Sequence, residues 1–252
     1  MAEHDEVRRL AREARLELSR EAERGRGDLW AIAAGEKVSP RPKRAATIEA
    51  PDMPPLVSPP GDTLEQIAAE VRGCTKCGLH ETRTQAVPGV GRGATGIVFV
   101  GEAPGAEEDR RGEPFVGRSG DLLTKIIAAM DEKQLIPGVT VSREAAFIGN
   151  VLKCRPPDNR NPMPHEIETC SPYLRRQLAV LKPRVIVCLG KFAAELLVGA
   201  KGTIAGMRGT VYRYGDSKLI VTYHPAACLR NPAFKRPVWE DMQLLAREYV
   251  SP

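Results

Sequence analysis

Four short apolar runs punctuate the chain: "IVFVG" (97–101), "AFIGNV" (146–151), "RVIVCLG" (184–190) and "KLIVTYH" (218–224). Each is compact, rich in β-branched residues and bounded by turn formers, which predicts a buried strand. Between and around them the apolar spacing becomes helical, over residues 64–71, 119–135, 164–181, 191–198 and 238–250. Ser119 stands where its hydroxyl can cap the second of these helices. Strands alternating with helices predict an α/β fold, a three-layer α/β/α sandwich around a central, mainly parallel four-stranded sheet. In such sheets ligands bind where loops leave the carboxyl ends of the strands.

The upstream pattern is different. Residues 5–23 are dense in Arg and Glu, with Val7, Leu10, Ala14 and Leu18 on a narrow stripe, a helix too polar to own a core. A short apolar island follows at residues 29–32 (Leu29, Trp30, Ile32). Residues 39–61 then hold seven of the chain's 21 prolines. Proline at that density removes backbone donors and resists folding, so the stretch reads as a linker. Residues 1–60 are therefore expected to be a disordered extension with a transient helix, and 61–252 the folded domain. The alternative for residues 29–32 is docking on a partner protein.

Charge and composition narrow the setting. The N-terminal residues mix acids and bases and lack the apolar stretch of a signal peptide. No apolar run reaches the ~18 residues of a membrane span. A cytoplasmic protein with reduced thiols and no membrane is expected. Residues 1–60 carry as many Lys/Arg as Asp/Glu, so the net charge of +5 belongs to the remainder. That balance permits a DNA ligand without establishing one.

"GRGATG" (91–96) spells the dinucleotide pattern GxGxxG. The pattern cradles a pyrophosphate only when it follows a strand and opens a helix. Here it precedes a strand, which argues against a nucleotide cofactor. The loops after the strands are richer. The first runs into "GEAPGAEEDRRGEPFVGRSG", with Glu102 at its head and Phe115 in a Gly/Pro-rich setting that is a poor place for a core residue. The second strand ends at Asn150, a poor strand former whose amide suits a specific polar contact. The last ends at His224, held extended by Pro225, with a Leu229–Arg230 tip beyond.

"GCTKCGLHETRT" (73–84) sets two cysteines a turn apart in polar surroundings. On the residues alone they are a redox pair, half of a metal site, or two inert thiols. Cys188 lies inside an apolar run and should be a buried small hydrophobe. Cys228 has no apparent partner.

"GEAPG" with "EED" behind it, "GEPFVG", "GNVLKCRPP" and "HPAACLRNP" together resemble the family-four uracil-DNA glycosylases, iron–sulfur enzymes of base-excision repair, over roughly residues 64–250. The resemblance implies an enzyme that flips uracil out of DNA and hydrolyses its N-glycosidic bond, working as a monomer on uracil-containing DNA. It implies Cys74, Cys77, Cys154 and Cys170 as ligands of a 4Fe–4S cluster; without it, a tetrahedral zinc site would rank first. It implies Phe115 stacking on the base, Asn150 reading its edge, and Gly101 and Ala103 lining the pocket. It further implies His224 and Glu102 as catalytic groups, with Leu229 and Arg230 wedged into the duplex. Better-known relatives carry an Asp where this chain has Ala103, and a bulky aromatic where it has Gly105. Cluster-bearing relatives that cross-link to uracil-DNA through a histidine are the second reading; the matching segment holds His165 but no basic KRRIH-like insertion. A non-catalytic, metal-stapled DNA-binding module is the third.

Overall fold

The computed structural model describes residues 47–49, 56–199 and 201–251. The expected helix at 5–23 and the island at 29–32 lie outside them. Among the described residues the strands are β1 (Thr47–Glu49), β2 (Ile97–Gly101), β3 (Phe147–Asn150), β4 (Val185–Leu189), β5 (Val211–Tyr214) and β6 (Ser217–Thr222). They form one six-stranded sheet in the order β1-β5-β6-β4-β2-β3, parallel except for the antiparallel β5–β6 pair.

The helices are α1 (Leu64–Arg72), α2 (Ala106–Arg111), α3 (Arg118–Glu132), α4 (Pro164–Leu181), α5 (Lys191–Val198), α6 (Ile204–Met207), α7 (Pro225–Arg230) and α8 (Lys235–Val250). One core gathers Val98, Val100, Ile186, Cys188, Leu219 and Val221 from the sheet with buried residues of α1, α4 and α5. The intervening strand residues face the other side by the alternation of the pleat. There α8 packs on β6 and β4. Burial on both faces explains why the central strands are unbroken apolar runs.

Two strands exceed the four expected. β5 joins β6 through the two-residue turn Gly215–Asp216, a hairpin connection short enough to set antiparallel pairing. β1 lies in the proline-rich stretch read as linker, where Thr47–Glu49 pairs in parallel with Val211–Arg213. The chain divides after Arg44, so this strand belongs with the sheet-bearing unit. An edge strand tolerates prolines nearby because only one side of it is hydrogen-bonded. The capping expectation also changes. α3 begins at Arg118 after Gly117, and Ser119 sits inside its first turn. The amides of Val116 and Gly117 are instead taken by the Glu108 carboxylate, 3.0 Å from each.

α1 is fastened to α4 by Arg176, whose guanidinium reaches Asp62 at 2.6 Å and Glu70 at 2.6 Å. The same contact holds the Cys74–Cys77 segment that follows α1 against the helix carrying Cys170. No helix among the described residues is long and apolar enough to cross a membrane.

Candidate active site

The carboxyl ends of β2, β3 and β6 converge on one open cleft of about 860 Å³, counting its mouth. Gly101 and Asn150 are register partners on adjacent parallel strands. Past the strands the pairing continues, with Val151 N–H donating to the Gly101 carbonyl (3.0 Å) and Leu152 N–H to that of Glu102 (2.9 Å). The Glu102 and Asn150 loops are thereby locked side by side. A Cβ on Gly101 would lie 2.6 Å from the Phe115 ring and would also overlap the Asn150 amide oxygen. Only glycine leaves room for that ring and that amide to face the same space.

Asn150 is only 2% exposed, and its Oδ1 is buried without a hydrogen-bond partner. An unsatisfied buried acceptor costs about 1–3 kcal/mol. Phe115 stands at φ 54, a left-handed conformation that a bulky residue adopts at a cost of about 1–3 kcal/mol. The strain is held by what surrounds it. Glu108 grips the next two amides and also accepts from Gly105 N–H at 3.1 Å, tying the Phe115 loop to the Glu102 loop. Gly120 lets α3 approach so closely that a Cβ there would overlap the Phe115 carbonyl. The Phe115 ring stacks at 5.5 Å and 30° on the ring of His224.

His224 caps α7, its Nδ1 accepting from Ala226 N–H at 3.1 Å. That bond assigns the ring proton to Nε2. The ring touches the cleft with one edge while protein surrounds the rest. This desolvation lowers its pKa to about 4, with Arg230 adding to the effect and Glu108 opposing it. At neutral pH His224 is therefore an uncharged donor through Nε2–H. Glu102 lines the cleft too, and burial raises its carboxyl above the ordinary value.

Ala103 and Arg230 line the same cleft. Leu229 does not; it projects from α7 at 40% exposure, beside the mouth rather than within it. His165, the histidine of the cross-linking reading, is exposed on α4 and is absent from the lining. Glu108 and Arg160 are lining residues the sequence did not single out, and Ser119, expected only as a helix cap, lines the cleft as well. Glu108 left a trace, a Glu at the third helical position after a glycine, which is half of a capping box. Arg160 is held by a bidentate pair with Glu166 at 2.9 and 2.6 Å. Nothing in its sequence context distinguishes it from a solvated surface arginine.

Cys74, Cys77, Cys154 and Cys170 line a second, smaller cavity behind β3, whereas Cys188 and Cys228 are buried elsewhere. All six are free thiols. Arg83 Nη1 donates to Cys154 Sγ at 3.0 Å and Lys153 N–H to Cys170 Sγ at 3.2 Å. Burial raises both thiols, Cys170 to about 11. Among the described residues no three His, Cys, Asp or Glu side chains converge on a point that one ion could occupy.

A model of the uracil DNA glycosylase superfamily matches residues 88–243. A type-4 uracil-DNA glycosylase of Archaeoglobus fulgidus is 46% identical over 190 residues, which cover 72% of this chain and 91% of that protein. A type-4 uracil-DNA glycosylase of Sulfurisphaera tokodaii is 43% identical over 199 residues, 76% of this chain and 87% of the relative. One from Saccharolobus solfataricus is 43% identical over 190 residues, 72% and 84% of the two chains.

Proposed function

Because this chain belongs to the uracil DNA glycosylase superfamily, we propose that it flips uracil out of DNA and hydrolyses its N-glycosidic bond, leaving an abasic site. The observation that carries this reading is the unpartnered Asn150 Oδ1 facing the same space as the Phe115 ring and His224. Three chemically different groups, an aromatic face, an amide and a neutral imidazole, are what a flat, polar-edged base needs.

Unstacking the nucleotide costs a few kcal/mol. Stacking on Phe115 returns about 1–3 kcal/mol. Asn150 accepts from N3–H through Oδ1 and donates to O4 through its amide nitrogen. Cytosine presents the opposite polarity along that edge, so an amide in this orientation favours uracil. As the glycosidic bond breaks, negative charge grows on the base and positive charge on the sugar. His224 donates through Nε2–H to O2 of the departing base, a fixed dipole already oriented before the charge appears. An imidazolium is not required. Glu102, as carboxylate, orients water and stabilises the sugar cation from the side of the first loop. Leu229 and Arg230, on the exposed α7 tip, fill the gap in the duplex.

Cys74, Cys77, Cys154 and Cys170 would hold a 4Fe–4S cluster. The donor set suits it: four thiols line one cavity with Arg83 and Lys153 beside them. Such a cluster supplies a cross-link between the α1 end, the β3 loop and α4. No step of base release passes through it.

The test is release of free uracil from uracil-containing DNA across pH, with a denaturing gel alongside. Wild-type protein should liberate uracil without any covalently shifted band. The acidic limb should lie above the ordinary carboxylate value, because desolvation keeps Glu102 protonated to higher pH. Glu102→Gln should slow release and abolish that limb. His224, at about 4, titrates below it, so no break belongs at the usual histidine value. Absence of free uracil, or a protein–DNA adduct on the gel, would refute the reading.

A further inference from the structure

We propose that Lys153, together with Arg83, is the fixed counter-charge of the four-cysteine site and raises the reduction potential of the cluster held there. This rests on the cluster reading above. Lys153 sits between the base-reading Asn150 and the ligand candidate Cys154, and mechanism gives its ammonium nothing to do. It is 1% exposed. Its Nζ donates to Gln177 Oε1 at 2.7 Å, and Gln177 Nε2 in turn donates to the Pro88 carbonyl at 2.8 Å, which fixes the amide with its oxygen toward the lysine. The partner shown is thus neutral, and an ammonium in the interior demands an anion.

The anion is supplied by the cavity that Lys153 lines. Lys76, Arg83 and Lys153 border it alongside the four cysteines, and no carboxylate does. Lys76 lies over the Tyr173 ring at 4.9 Å, its charge directed to an aromatic face. Arg83 bonds Cys154 Sγ directly, and the backbone of Lys153 bonds Cys170 Sγ. A cluster core of about +2 on four thiolates carries about −2 in total. The two cations Arg83 and Lys153 balance it without any acid in the lining. Reduction adds an electron to this buried anion, and a desolvated ammonium nearby favours that addition.

The experiment is the midpoint potential of the iron-loaded protein, with iron and sulfide analysis of each sample. Lys153→Met removes the charge and keeps an unbranched chain. Gln177→Glu keeps Lys153 but places a carboxylate on it, so it neutralises the same charge by another route. Both should load iron and shift the midpoint to a more negative potential, while Lys153→Arg retains the wild-type value. Should one variant fail to fold, the other decides alone. Loaded variants with the wild-type midpoint would overturn the counter-charge and leave the cluster standing. Wild-type protein free of iron and sulfide would overturn the cluster itself, and this assignment with it.

Discussion

His224→Ala lowers the single-turnover rate of uracil release at pH 7 by about 10²–10³-fold, the usual loss for one preorganised donor to a developing anion. DNA affinity should change far less, because phosphate contacts dominate binding and His224 lies in the cleft. The size of the effect follows from where the imidazole is held. Its Nδ1 is engaged by Ala226 N–H, so the proton is on Nε2 before substrate arrives. Its pKa of about 4 keeps it neutral through the working range, and a neutral donor spares the site a charge it would have to desolvate. Adding imidazole to the variant should recover little, since free imidazole is not held in this position and orientation. Wild-type release rates in His224→Ala, measured with uracil-DNA in single turnover, would remove the residue from the reaction.

Asn150→Ala separates stability from activity. Release of uracil should fall by about 10²-fold or more, because both hydrogen bonds to the base edge go and discrimination against cytosine goes with them. The melting temperature should stay level or rise. In the unliganded protein Oδ1 is a buried acceptor with no donor, and deleting it relieves a penalty of about 1–3 kcal/mol. The space left opens into the cleft rather than a sealed void. Thermal unfolding and uracil release measured on the same preparation check both halves. A variant that loses stability and keeps its activity would show that Asn150 is a structural amide.

What could be read from the sequence divides along physical lines. β2, β3, β4 and β6 are covered on both faces, so their apolar runs stand out against any background. β5 is four residues with an arginine among them, and β1 is three residues between prolines; pairing with neighbours stabilises both, and pairing leaves little mark on composition. In the site, Glu102, Phe115, Asn150 and His224 could be singled out because they lie at strand ends or on the loops after them, where parallel sheets bind ligands, whereas Gly101 and Ala103 followed only from resemblance. Arg160 could not be singled out, and Glu108 left only the trace of a capping box. A carboxylate on a short helix reads as a solvated charge, and only the fold brings it under Val116 and Gly117. Ser119 failed as a cap because the helix starts one residue before it, and the acid that takes the Val116 and Gly117 amides lies eight and nine residues earlier in the chain. The four cysteines were the opposite case: their grouping followed from resemblance, and the shared cavity supplies a spatial reason for it.

A crystal structure of the protein with free uracil bears most directly on the cleft. The base should lie against the Phe115 ring, with N3 within hydrogen-bond distance of Asn150 Oδ1 and O2 within reach of His224 Nε2. Uracil seated elsewhere, or in the cleft with its N3–O4 edge turned away from Asn150, would contradict the account.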